Sequence, residues 1–179
     1  MNQAVPPQTA QGYSPPTVRQ FSVFLENKVG KLFELVHLFD EAPNVHLCAL
    51  SVLESSDHAV VRMIPNNADA ARALLREEGL PFSEFDLLIV EVYGDHTLTS
   101  MCLYLLGAEL NIRFAYPLMI GPDGTPTIAL AVDDQVLAGQ GLWKKSFRVL
   151  GEEDLPYGSA DNGKRQHRPH GRCCIDTLE

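Results

Sequence analysis

The chain has 179 residues, a formal charge of −9 and a hydrophobic content of 45%. That length allows one ordinary domain or two small ones, with apolar residues enough for a real core. The negative charge argues against a nucleic-acid partner, whose phosphates demand clustered Lys and Arg, and no apolar run approaches the ~20 residues needed to span a bilayer.

Met1–Thr17 has neither a charged start nor an apolar block, so it does not read as a signal peptide. The expected location is therefore the cytoplasm, where Cys48, Cys102, Cys173 and Cys174 stay as thiols. Pro6, Pro7, Pro15 and Pro16 stand among Gln, Ala, Gly and Ser. With so little to bury, residues 1–17 are expected to be a disordered leader.

Val18–Glu26 alternates, with Phe21, Val23 and Leu25 on one face, as a half-buried strand does. Gly30 interrupts the chain. Leu32, Leu35, Val36 and Phe39 then follow at the spacing of one face of a helix, which Pro43 ends. His46–Leu53 is a second strand, with Leu47, Ala49 and Ser51 facing one way. Ser55-Ser-Asp-His58 is a turn, and Ala59–Ile64 is a third strand. Asn66 offers an N-cap to a second helix with an Ala71, Leu74, Leu75 stripe and Gly79 past its end. Leu87–Val92 is the fourth strand. The order β, α, β, β, α, β is that of a ferredoxin-like sandwich.

The frame then repeats. An offset of 67 lays Phe21, Val23 and Leu25 on Leu88, Val90 and Val92, and Asn44, Val45 and Leu47 on Asn111, Ile112 and Phe114. The second copy reads as helix Thr97–Leu106, strand Asn111–Ile120, turn Pro122–Gly124, strand Thr127–Val132, helix Asp133–Lys144 and strand Ser146–Leu150. Gly139 and Gly141 weaken its last helix. The expected fold is α+β, two tandem ferredoxin-like units with antiparallel sheets and helices on one face. Residues 18–86 form the first unit and 87–155 a second, degenerate one, with strand 87–92 shared. Residues 156–179 turn polar and locally basic and are expected to be a disordered tail.

No Gly-x-Ser-x-Gly, phosphate loop or Gly-x-Gly-x-x-Gly is present, and no carboxylate pair falls on a core-facing surface. An enzyme is therefore not expected, nor any cofactor. His167, His170, Cys173 and Cys174 are zinc-binding residue types, but nothing apolar nearby would hold them in place, so no metal site is expected. Cys48 and Cys102 fall on predicted core faces.

The chemistry concentrates in Glu26-Asn-Lys-Val-Gly-Lys-Leu32. Gly30 lets backbone approach a ligand closely. The helix start behind it favours an anion such as a carboxylate. Asn27 both donates and accepts, so it suits the ammonium or amide end of an amino acid. Spacing alone leaves the plain alternative standing, in which Gly30 is a tight turn and Asn27 a cap.

Phe21–Leu32 resembles the opening of ACT domains, small amino-acid-sensing modules. Asn44-Val-His-Leu-Cys-Ala-Leu50 resembles the start of the family's second strand. Asp57-His-Ala-Val-Val-Arg62 resembles its third-strand motif, with Ala59 where Gly is common, and Phe85–Val92 resembles its closing strand. The layout is similar to stand-alone bacterial proteins made of two ACT units. The resemblance implies a small amino acid held at the seam between units. One wall is the loop Glu26, Asn27, Lys28, Val29, Gly30, Lys31 and Leu32. The other is Asn44, Val45 and His46 of a neighbouring unit. In the second copy Gly94 and Thr97 replace Asn27 and Gly30, so its loop is expected to be a structural partner or a site of other specificity.

Two readings follow from the resemblance. One is a non-enzymatic allosteric regulator of amino-acid metabolism. The other is a regulatory subunit of a biosynthetic enzyme such as acetolactate synthase, whose small subunits carry related domains. A homodimer is the simplest way to cover the sheet faces that the helices leave bare.

Overall fold

The computed structural model describes residues 14–55, 57–119, 121 and 124–155. The expected tail 156–179, with its His and Cys residues, lies outside this range, as do residues 1–13 of the leader and Pro122 and Asp123 of the second turn.

The elements in chain order are β1 (Val18–Glu26), α1 (Lys31–Glu41), β2 (Leu47–Ser55), β3 (His58–Pro65), α2 (Ala68–Glu77) and β4 (Phe82–Glu91). They continue as α3 (Leu98–Gly107), β5 (Ile112–Pro117), β6 (Thr127–Val132), α4 (Gln135–Lys144) and β7 (Val149–Leu150). This is the βαββαβ order used twice, an α+β fold of two tandem ferredoxin-like units. The strands run β2-β3-β1-β4-β6-β5, and β7 also pairs with β4. Every pairing is antiparallel.

β4 joins the two halves. Its first part pairs with β1, from Phe82 opposite Val23 to Leu87 opposite Val18. Its second part, Leu88–Glu91, pairs with β6. The strand therefore begins five residues before the expected Leu87. Phe82-Ser-Glu-Phe-Asp looks too polar for a central strand, but Glu84 is neutralised by Arg72 of α2, whose guanidinium meets its two oxygens at 2.7 and 2.8 Å.

Strand alternation divides the core into three. Phe21, Val23 and Leu25 pack under Leu35 and Phe39 of α1 and Ala71 and Leu75 of α2. Leu88, Val90 and Leu130 pack under Met101 and Leu105 of α3 and Ala138 and Leu142 of α4. The third cluster uses the opposite face of both halves, with Val18, Ala49, Ile64, Leu87, Ile89, Ala129 and Tyr116 among its members. The faces expected to lie bare thus cover one another. The sheet curls until its end strands approach, and Met119 N–H donates to the Cys48 carbonyl at 2.8 Å. The cover is partial, because Phe24 and Leu53 stay exposed on the same face beyond it.

Several local expectations are corrected. Asn67, not Asn66, caps α2 by accepting from Ala70 N–H, while the Asn66 side chain accepts from His46 N–H at 2.8 Å. Cys102 is exposed, because α3 turns Met101 and Leu105 inward instead. Leu32 is also exposed, and only Leu35 and Phe39 of its stripe are buried. β2 starts one residue late, and a register shift between Leu47 and Ala49 buries Cys48 and Ala49 together. Pro15, assigned to the leader, is buried against α4.

The glycines of α4 have a packing reason. A β-carbon at Gly139 would stand 2.4 Å from Pro15 Cβ, and one at Gly141 would stand 1.3 Å from the Tyr104 hydroxyl. Their helix-weakening effect is accepted so that α3 and Pro15 can approach closely.

Candidate functional site

The loop after β1 is anchored at its start. Asn27 N–H donates to the Asp57 carbonyl at 3.1 Å, and its side-chain amide donates to Glu54 at 2.9 Å. Asn27 is thereby tied to the β2–β3 end of the first unit. Glu26, Asn27, Lys28, Val29, Gly30 and Leu32 are exposed and Lys31 is half-buried. The two lysines are paired locally, Lys28 Nζ to Glu26 at 2.7 Å and Lys31 Nζ to Glu34 at 2.6 Å. The hydrogen bond and charge of Lys28 hold the Glu26 carboxyl below its ordinary range. With each ammonium matched to a carboxylate, the side chains set up little net field, and the backbone becomes the main feature of the loop.

Gly30 sits at the N-cap of α1 with φ +94°. Only glycine adopts such a φ without strain. A β-carbon there would meet nothing within 4 Å, so the space over the first turn is open. No side chain caps this helix. The other three helices are capped, α2 by Asn67, α3 by Thr97 and α4 by Asp134. α1 is thus the one α-helix among the described residues without a side-chain cap; Lys31 N–H donates to the Lys28 carbonyl at 3.2 Å, and the N–H groups of the first turn beyond it favour an anion.

The second half of the expected site lies elsewhere. Asn44 and His46 are exposed at the start of β2, while Val45 is buried in the core beneath the first-unit helices. The Asn27 loop abuts the far end of β2. Nine strand residues separate the two, a span of about 30 Å at ~3.3 Å per residue. One unit therefore does not bring Asn27–Leu32 and Asn44–His46 together.

The second unit treats the same position differently. Thr97, which the 67-residue offset lays on Gly30, caps α3 by accepting from Ser100 N–H at 3.1 Å. A hydroxyl of the chain itself occupies the place left open in the first unit. This was readable from sequence, since Thr97 stands just before an apolar helical run. Beside this loop is a cavity of about 600 Å³ lined by Asp95, His96, Leu103, Tyr104, Lys145 and Phe147, among others. The His96 and Phe147 rings, both in its lining, have centres 4.7 Å apart. Sequence reasoning gave no sign of it, because its walls come from both ends of the unit.

The seam between the units also went unread. Tyr116 of β5 donates to Gln20 of β1 at 2.7 Å, and the Arg62 guanidinium lies 4.1 Å from the Phe114 ring centre. Glu152, in the turn after β7, accepts from Ala68 N–H at the start of α2 at 2.6 Å. These contacts cross the whole chain and leave no local periodicity to detect.

The fold is that of a tandem pair of small modules of the ferredoxin-like kind. The family described as the ACT domain pair matches residues 16–155, and the chain belongs to that family. Such pairs are associated with regulatory binding of small ligands. Protein BT0572 from Bacteroides thetaiotaomicron is similar in structure, with a TM-score of 0.70 at 21% identity, covering 79% of this chain and 96% of that one. At that identity the likeness speaks for the fold alone. A putative glycine cleavage system transcriptional repressor also aligns, over 75% of this chain and 95% of that one, but at 10% identity and a TM-score of 0.34 it carries no argument. No curated protein matches the chain. Among the described residues no helix is long and apolar enough to cross a membrane.

Proposed function

We propose that this protein is a non-enzymatic regulator that binds a small amino acid at the first-unit loop. The uncapped start of α1 supports the reading most directly. Its N–H groups suit the ligand's carboxylate, and Gly30 keeps the approach clear. Asn27, held by Asp57 and Glu54, stands at the near edge of the loop, where the ammonium end would lie. Asn44–His46 of a neighbouring unit supply the second wall, because those of the same unit are a strand's length away. In the second unit Thr97 takes the corresponding place for itself, so one site per chain is expected.

Calorimetric titration of the full chain with each standard amino acid tests this reading. One of them is expected to bind at millimolar concentration or tighter, with one site per chain. If none binds in that range, the regulator reading fails.

A further inference from the structure

We propose that the mouth between the two sheet halves, at Arg62, is a second binding site, and that it takes an apolar carboxylic acid without an amino group. The strand register lays the mouth out in three rows across β1, β3 and β2. In the first row Gln20, Ile64 and Ala49 are shut in, at 1%, 0% and 0% exposure. In the next row Ser22, Arg62 and Ser51 stand side by side, and all three are half-buried. In the third, Phe24 and Leu53 flank Val60 and reach 42% and 52% exposure. The second unit thus closes over the first row and leaves the third open, with Arg62 at the throat between them.

The throat holds donors that nothing receives. The Arg62 guanidinium lies 4.1 Å from the Phe114 ring centre. A ring covers one face of a guanidinium, while the N–H groups point outward in its plane. Among the described residues they meet no acceptor and no carboxylate. The other two half-buried arginines among the described residues are answered, Arg19 by Asp86 at 3.0 Å and Arg72 by Glu84 at 2.7 Å. Ser22 is also set as a donor. Tyr116 donates to Gln20, and the Gln20 amide nitrogen donates to the Ser22 oxygen, which leaves the Ser22 hydroxyl hydrogen to point elsewhere. The Ser51 hydroxyl, across Arg62, has no partner among the described residues. A half-buried guanidinium between two hydroxyls, with no acceptor, is a charge awaiting an anion.

The row also selects the kind of anion. Arg62 is the one Lys or Arg in the three rows, so it matches a single negative charge. A guanidinium fork fits a carboxylate through two parallel bonds. A phosphate would bring a second charge with no second cation to meet it. An ammonium would fare no better, since the rows hold no carboxylate, and Glu26 beyond them is taken by Lys28 at 2.7 Å. That sets this site apart from the amino-acid site at the first-unit loop. Phe24 and Leu53 offer an apolar bed for the rest of the molecule. The occupant is an aliphatic or aromatic monocarboxylate, and the proposal stands whether or not the first-unit loop binds an amino acid.

Calorimetric titration of the full chain with phenylacetate tests this, and one site at millimolar concentration or tighter is expected. Phenylacetamide, which keeps the shape without the charge, and inorganic phosphate are each expected to bind at least about tenfold more weakly. Arg62→Gln should weaken phenylacetate at least about tenfold, and Ser51→Ala should weaken it less, with circular dichroism unchanged. Arg76→Gln, at an exposed arginine on α2, should bind like the parent. Gly30→Asn, which alters the first-unit loop, should also leave phenylacetate affinity at the parent level. No phenylacetate binding in this range overturns the proposal, as does phenylacetamide or phosphate binding equally well. Parent-level affinity in both Arg62→Gln and Ser51→Ala overturns it too. If Arg62→Gln fails to fold, Ser51→Ala alone decides. Loss of phenylacetate binding in Gly30→Asn would place the acid at the first-unit loop and overturn the second site.

Discussion

Tyr116 and Gln20 stand 96 residues apart in sequence and 2.7 Å apart in space, the phenol donating to the amide oxygen. Both are buried, and Gln20 is 1% exposed. Its amide nitrogen in turn donates to the Ser22 hydroxyl at 3.1 Å. Burial pushes the Tyr116 hydroxyl well above the ordinary phenol range, so it remains a donor at any ordinary pH. This chain of hydrogen bonds adjoins the apolar cluster that the two units share.

Tyr116→Phe should therefore cost more than one hydrogen bond between exposed groups. It removes the donor and leaves the Gln20 oxygen buried without its partner, a penalty of about 1–3 kcal/mol. The double variant Tyr116→Phe, Gln20→Leu should recover part of that loss. Urea unfolding of both proteins measures it. A Tyr116→Phe midpoint indistinguishable from the parent would show that water or a side-chain shift satisfies Gln20.

Three turns in the chain share one hydrogen-bond pattern. After α2, Gly79 has φ +64° and Leu80 N–H returns to the Leu75 carbonyl. After α3, Glu109 has φ +56° and Leu110 N–H returns to Leu105. After α4, Ser146 has φ +63° and Phe147 N–H returns to Leu142. Each is the left-handed close of a helix, a place that suits glycine. Ser146 falls on Gly79 under the 67-residue offset, so the second unit keeps the turn and loses the residue that eases it. Ser146→Gly and Glu109→Gly should each raise stability by about 1 kcal/mol, the order of the left-handed penalty. Thermal unfolding reads this as a higher midpoint. A lower midpoint for both would mean that unfolded-chain entropy or side-chain contacts outweigh the strain.

Glu84 gives the fold a defined acid sensitivity. The hydrogen bonds from Arg72 hold its carboxyl below the ordinary 4.5, with Arg19 and Arg76 adding to the effect and burial opposing it. Asp69 shares the same guanidinium. A lowered folded-state value means that the unfolded chain takes up the proton first. The stabilisation is therefore fully present above about pH 4.5 and is lost as pH falls through the folded value. Glu84→Gln should be less stable than the parent at neutral pH, and the gap should narrow by about pH 3. Urea midpoints at the two pH values check this. An unchanged gap would place the acid sensitivity in other carboxylates.

How much of this was legible in the sequence depends on the range of each contact. β1 was readable to the residue because Phe21, Val23 and Leu25 recur at every second position despite Phe24, but the burial of Val18 and Gln20 on its other face was not readable, since their partners lie in the second unit. The double βαββαβ order was readable because the 67-residue offset superposes one apolar pattern on another. β4 was shortened because Glu84 and Asp86 disguise a strand whose charges are answered by Arg72 and Arg19, partners that no local window contains. Cys102 was misplaced because α3 is apolar on every side, and periodicity picks an inward face only when an outward one is polar. The loop Glu26–Leu32 was located as an exposed turn in front of a helix. Its distance from Asn44–His46 was invisible, since that depends on which end of β2 each segment joins.

Gly30 and Thr97 now form a matched pair for testing the ligand site. Gly30→Asn supplies a side-chain acceptor to the open helix start, which imitates the Thr97 cap, at the cost of some backbone strain at φ +94°. The fold should survive, while amino-acid affinity should fall by about tenfold or more, a loss of roughly 1.4 kcal/mol, because the new side chain competes for the N–H groups and fills the open space. Thr97→Val should do the reverse. It removes the cap of α3 and should cost about 1 kcal/mol of stability while leaving affinity at the parent level. Calorimetry and thermal unfolding on both variants separate the two roles. If Gly30→Asn binds as tightly as the parent, the carboxylate is not held at the start of α1. If Thr97→Val loses binding as well, the second-unit loop contributes to the site despite its cap.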